Sequence, residues 1–158
     1  MKSVTVFCGA ASGRDPAYTC MGAVADAALA AGGTVVGVIP GEFPREIAHT
    51  GLSTLHIVPD MHSRKALMAE LGDAFVALPG GLGTAEELFE VLTWAQIRLH
   101  SKPCFLLDDS GYYRHLLAHL RHTAQEGFAD STDIAHLTVC RAPHEVVRQL
   151  RLMKGTAV

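Results

Sequence analysis

The chain has 158 residues, of which 49% are hydrophobic and 18% charged, and its formal net charge is −3. That length fits one domain, residues 1–158, with a substantial core, and that composition excludes a disordered chain. The charge supplies no basic field for a polyphosphate backbone, which argues against a nucleic-acid partner, and no apolar run reaches the length of a membrane span.

In chain order, Met1-Lys2 leads straight into a strand pattern with no signal peptide, so a cytoplasmic location is expected. Short runs rich in Val, Ile and Leu predict strands at 4–8, 34–39, 54–58, 74–78, 104–107 and 137–140. They are apolar on both faces, as a buried parallel sheet requires. Helical spacing fills the intervals at 21–31, 61–71, 84–99, 112–126 and 143–153. Gly32 and Gly72 follow the first two helices as stop signals, and Pro143 stands where a first helical turn tolerates it. The alternation implies an α/β fold of Rossmann-like type: one open, doubly wound parallel sheet with helices on both faces.

Four cysteines, Cys8, Cys20, Cys104 and Cys140, show neither CxxC nor CxxxC spacing and read as reduced residues packed as small hydrophobes. His115, His119 and His122 share one face of the fourth helix, but no carboxylate or cysteine partner stands nearby, so a solvated face is expected and no metal. Trp94, with Leu88, Val91, Leu92 and Ala95, reads as core.

Ligands of such sheets bind outside the carboxyl ends of the strands. Gly9-Ala10-Ala11-Ser12-Gly13 after the first strand is not GxGxxG and is weak evidence. Pro79-Gly80-Gly81-Leu82-Gly83-Thr84 is stronger, because it joins a strand directly to a helix opening with Ala85-Glu86-Glu87. Three glycines allow close backbone approach and positive φ, and the free N–H groups of the helix start attract an anion, naturally a phosphate. Arg64 and Lys65 near the start of the second helix also call for an anionic partner, since cations are unfavourable there. Thr84-Ala85-Glu86-Glu87 has the form of a capping box, which gives Glu87 a structural reading beside any chemical one.

These residues carry a resemblance. Met61-His62-Ser63-Arg64-Lys65-Ala66-Leu67-Met68, followed by Leu78 to Glu87 in the pattern PGGxGTxxE, resembles the LOG family. These are cytokinin riboside 5′-monophosphate phosphoribohydrolases, formerly described as lysine decarboxylases. The likeness continues through residues 90–96, Lys102-Pro103 and Gly111-Tyr112-Tyr113. It implies hydrolysis of the N-glycosidic bond of an N6-substituted AMP, without a cofactor, to free base and ribose 5-phosphate. It implies Arg64 and Glu87 as the catalytic pair. It also implies that Glu46, Lys65, Gly80, Gly81, Leu82, Gly83, Thr84, Ala85 and Glu86 face the nucleotide, and that the Glu87 helix joins a homodimer interface. Two narrower or different readings stay open: a general AMP nucleosidase, and a nucleotide-binding protein without catalysis. A decarboxylase would need pyridoxal phosphate on a lysine, and Lys2, Lys65, Lys102 and Lys154 offer no convincing context.

One departure from the family is large. After the segment matching Asp15-Pro16-Ala17-Tyr18, family members have a full helix and a second strand ending in a GGG-type loop. Here Tyr18-Thr19-Cys20 runs directly into Met21-Gly22. One αβ unit of roughly 30 residues is missing. Either the protein has lost it or these residues omit it; a true loss predicts a sheet one strand short and a missing loop beside phosphate and base.

Overall fold

A computed structural model describes residues 3–11, 13–14, 18 and 20–154, the last by its backbone only. Ser12, Asp15, Pro16, Ala17, Thr19 and Lys2 of the readings above lie outside the described residues. The elements alternate as expected: β1 (Thr5–Phe7), α1 (Met21–Ala30), β2 (Val36–Pro40), a 3-10 turn (Arg45–Ile47), β3 (Thr54–Val58) and α2 (Met61–Leu71). Then follow β4 (Phe75–Ala77), α3 (Leu82–Gln96), β5 (Cys104–Leu107), α4 (Arg114–Gln125), α5 (Ser131–Ile134), β6 (Leu137–Cys140) and α6 (Pro143–Lys154).

Every strand pairing is parallel, as the two-sided apolar strands require. Side chains alternate across β4 and β5 and so feed two cores. Phe75, Ala77, Cys104 and Leu106 pack with Phe7, Leu88, Val91 and Leu137 beneath residues of α2, α3 and α4. Ala74, Val76 and Phe105 face the other way, against Cys140, Val146 and Leu150 of the α6 side. Phe75 and Phe105 are almost wholly buried, each stabilising the fold by about 2–3 kcal/mol through removal from water. Helices therefore cover both faces of β4 and β5, the doubly wound arrangement. Trp94, read as core, is only half-buried and belongs to neither cluster.

The sheet is not one continuous ladder. Strands β1-β4-β5-β6 form a four-stranded sheet, and β2-β3 form a separate pair. Among the described residues, β1 is an edge of the first, with a ladder only to β4, and β2 pairs only with β3. The sequence accounts for the break. A strand entered from β1 by a right-handed crossover would lie beside β1, and the missing αβ unit is the one that would supply it. Helix α2 spans the break: Thr5 of β1 donates its hydroxyl to the Met68 carbonyl (2.8 Å), and Arg64 Nε donates to the Val38 carbonyl of β2 (3.1 Å).

Candidate active site

The glycine loop lies at the carboxyl end of β4, where a ligand is expected. α3 begins earlier than the sequence suggested. Its first helical residue is Leu82 and its N-cap is Gly81, not Thr84, with no side-chain cap bond. Thr84 is thus the third residue of the helix, and the capping box of Thr84 and Glu87 is not formed. A glycine N-cap leaves the first-turn N–H groups of Leu82, Gly83 and Thr84 unpaired among the described residues, the first backbone bond of the helix being Ala85 N–H to Gly81 O (3.1 Å). None of Gly80, Gly81 and Gly83 has positive φ, contrary to expectation. Their value is lateral space. A Cβ on Gly80 would lie 2.7 Å from Thr84 Cβ and 2.8 Å from Gly9 N, so the loops after β1 and β4 can approach only without it. Gly81 and Gly83 face open space, which leaves the helix end uncovered.

Helix α2 points its cations at α3. Asp60 caps α2 by accepting the Ser63 N–H (2.7 Å) and so satisfies that helix end, which lowers the Asp60 pKa. Arg64 and Lys65 therefore find their anions across the cleft and not at their own helix terminus. Arg64 Nη1 is 3.0 Å from Glu87 Oε1, although 23 positions separate the two residues in the sequence, and both side chains are largely buried. Lys65 Nζ pairs with Glu86 and, at 3.0 Å, with Glu90. The hydrogen bond that Lys65 donates to Glu86 is the chief cause that raises the Lys65 pKa and keeps it charged.

Glu87 is set apart from its neighbours. Burial pushes its pKa above the ordinary glutamate value, and the Arg64 guanidinium only partly opposes this. Oε1 is held by Arg64, while no described residue bonds Oε2. Cys8, at the end of β1, faces the same carboxylate; burial first and Glu87 second push its thiol up to about 11, so it remains protonated. The two catalytic candidates are thus brought together, and Lys65, Thr84 and Glu86 stand beside them. Glu46 is not brought in: it lies exposed on the 3-10 turn after β2 and makes no ion pair among the described residues.

Sequence reasoning missed further contacts around the site. Glu90 as a partner of Lys65 follows from helical spacing, four residues beyond Glu86. The hydroxyls of Tyr112 and Tyr113 donate to the carbonyls of Gly80 and Leu78, both at 2.6 Å. Asp108, wholly buried, accepts the Tyr113 N–H at 2.8 Å and pairs with Arg141. No local signal in the sequence pointed to the tyrosine and Asp108 contacts, the Asp108–Tyr113 bond being five residues long, beyond the two-residue reach of an Asx turn.

A family model described as "Possible lysine decarboxylase" matches residues 21–150. A cytokinin riboside 5′-monophosphate phosphoribohydrolase of Rhodococcoides fascians is 50% identical, over 95% of this chain and 89% of its own. The chain belongs to the LOG family. The LOG7 enzyme of Arabidopsis thaliana, named as the same phosphoribohydrolase, is 41% identical over 94% of this chain and 81% of its own. A solved structure of a molybdenum cofactor binding protein from Rippkaea orientalis has a TM-score of 0.62 at 18% identity, covering 84% of this chain and 70% of that one. It shows the α/β fold alone. The match to the Rhodococcoides LOG protein runs over 177 positions but takes in only 95% of these 158 residues, so about 27 positions have no counterpart here. The family match starts at Met21, where the helix–strand unit is missing.

The older description does not fit the lysines. A Schiff-base lysine must lose its proton readily. Lys65 is held charged between Glu86 and Glu90, and Lys102 Nζ donates to the Ala69 carbonyl (2.6 Å). Lys2 and the Lys154 side chain lie outside the described residues. No helix of the described residues is long and apolar enough to cross a membrane.

Proposed function

We propose that the protein hydrolyses the N-glycosidic bond of cytokinin riboside 5′-monophosphates, N6-substituted adenosine monophosphates, to free base and ribose 5-phosphate. The observation that carries this reading is the 3.0 Å pairing of Arg64 with a buried Glu87, about one and a half turns from an uncapped helix end. In the reaction the C1′–N9 bond breaks, hydroxide from water adds to C1′, and the remaining proton goes to the base. Positive charge develops on the ribose as the bond lengthens, and the Glu87 carboxylate is placed to stabilise it through Oε2 and to orient the water. Arg64 holds that carboxylate and meets the electron-rich leaving base. The N–H groups of Leu82, Gly83 and Thr84, with the dipole of α3 behind them, receive the 5′-phosphate. Gly80, Gly81 and Ala85 shape that cradle, and Lys65 and Glu86 border it.

The test is incubation with isopentenyl-AMP and AMP in parallel, for the wild type and Glu87→Gln, with chromatography for base and ribose 5-phosphate. Wild type should release base, faster from isopentenyl-AMP. Glu87→Gln should lose about 100-fold or more, the size of a single electrostatic contribution to the transition state, while folding normally, since the side chain is not a cap. Equal rates on both substrates would indicate a general AMP nucleosidase, and near-normal turnover by the variant would return Glu87 to structure. The split sheet favours a second reading, nucleotide binding without turnover, which a wild type that binds AMP but releases no base would establish.

We further propose a cytoplasmic homodimer. Leu82, Phe89, Ile97 and Leu99 expose apolar side chains along and beyond α3, surface that a second copy would cover. A light-scattering mass of one 16.8 kDa chain would refute the dimer. Cys8, Cys104 and Cys140 are buried thiols with raised pKa values, as expected of a reducing compartment.

A further inference from the structure

The dipeptide Tyr112-Tyr113 grips the glycine loop from outside the cleft. Its two hydroxyls donate to Gly80 O and Leu78 O, each at 2.6 Å, and so straddle Pro79. These bonds reach back 32 and 35 positions, from the β5–α4 turn to the end of β4. The turn itself is firmly mounted. Gly111 takes φ +75°, a conformation that a side chain would strain. Asp108 Oδ1 accepts the Tyr113 N–H, while Arg141 Nη1 donates to both the carbonyl and Oδ2 of Asp108. The rings brace one another: Tyr112 stacks edge-on against Tyr113 (4.9 Å between centroids) and against Tyr18 (5.3 Å).

The consequence lies in the peptide plane. A trans peptide points its C=O and the following N–H in opposite directions. Holding Gly80 O against Tyr112 fixes the Gly80–Gly81 plane and turns the Gly81 N–H to the opposite side, where no described residue accepts from it. Gly81 is the N-cap of α3, so its N–H adjoins the unpaired donors of Leu82, Gly83 and Thr84. Glycine on both sides of this peptide gives it little orientation of its own.

We propose that Tyr112 is a positioning residue for the substrate's phosphate: its hydroxyl sets the Gly80–Gly81 peptide so that Gly81 N–H joins the α3 donors. This rests on reading that helix end as the phosphate site. Tyr113, bonded two residues earlier at Leu78 and buried, serves the end of strand β4 and not the donors.

The test uses Tyr112→Phe, which removes one oxygen and keeps the braced ring, with calorimetric titration of AMP and of adenosine into wild type and variant. The expected result is about tenfold weaker AMP binding, the scale of one lost hydrogen bond. Adenosine affinity and the melting temperature should be unchanged, and with substrate KM should rise about tenfold while kcat changes by less than threefold. Tyr113→Phe should instead lower the melting temperature and leave the AMP-to-adenosine affinity ratio alone. Unchanged AMP affinity in Tyr112→Phe, or equal losses for AMP and adenosine, would overturn the role. A wild type that binds AMP no tighter than adenosine would refute the phosphate site itself, and the positioning role with it.

Discussion

The two sheets of this protein are built from similar sequence and packed very differently. In the four-stranded sheet every residue of β4 is buried, as are the first three of β5, and helices cover both faces. In the β2–β3 pair only Val38 and Pro40 are buried, Val36 and Ile57 are exposed, and α1 buries Ala25 alone. α1 is nonetheless a run of Met, Gly, Val, Leu and Ala broken by a single aspartate. Its apolar surface lacks the neighbours that the αβ unit after β1 would supply. Burial thus depends on what stands beside a segment, not only on how apolar it is.

Arg64 joins the two regions. It rises from α2, donates to the Val38 carbonyl in the small sheet, and pairs with Glu87 of α3 in the large one. The geometry of the Arg64–Glu87 pair, and with it the catalysis proposed for it, therefore depends on the register between a well-packed and a sparsely packed half.

Chemical denaturation grades that contrast. Phe105→Ala, in the large sheet, should cost about 3–5 kcal/mol, as for other deletions of a buried aromatic ring. Arg64→Ala should cost about 3 kcal/mol by leaving Glu87 buried without its cation; an arginine reading as mere cleft surface would predict almost nothing. The same variant should accelerate amide hydrogen exchange in β2 and β3 while β4 and β5 keep their protection. Uniform exchange across both sheets would show that Arg64 does not join them. Ile57→Ala, in the exposed strand of the small sheet, should cost well under about 1 kcal/mol. If its effect matched that of Phe105→Ala, the two halves would be packed alike after all.

The fold was largely legible because burial and periodicity are local signals. β3, β5, β6 and α2 begin and end at the residues that their patterns indicate. The start of α3 was misplaced because Thr84 is the better capping residue by type, yet the helix begins at Leu82 with Gly81 at the cap, and Thr84 lies inside its first turn. The break in the sheet was foreshadowed by the missing unit after Tyr18, but a strand count does not say that the remaining strands stay apart. Within the site, Arg64 and Glu87 were found through a motif. The Tyr112 and Tyr113 bonds and the Asp108–Arg141 pair were not, since each spans more than 30 positions and no periodicity links their ends.

The open edges of β1 and β2 have a colloidal consequence. An unpaired strand presents a row of backbone donors and acceptors that pairs with any extended chain able to reach it. Five-residue β2, with Val36 exposed at its start, carries neither lysine nor a mid-strand proline as a deterrent, its only proline being the last residue. At millimolar concentration, edge-to-edge recruitment between molecules would compete with the folded state, and solubility would be the property in which the absence of a strand there is felt first.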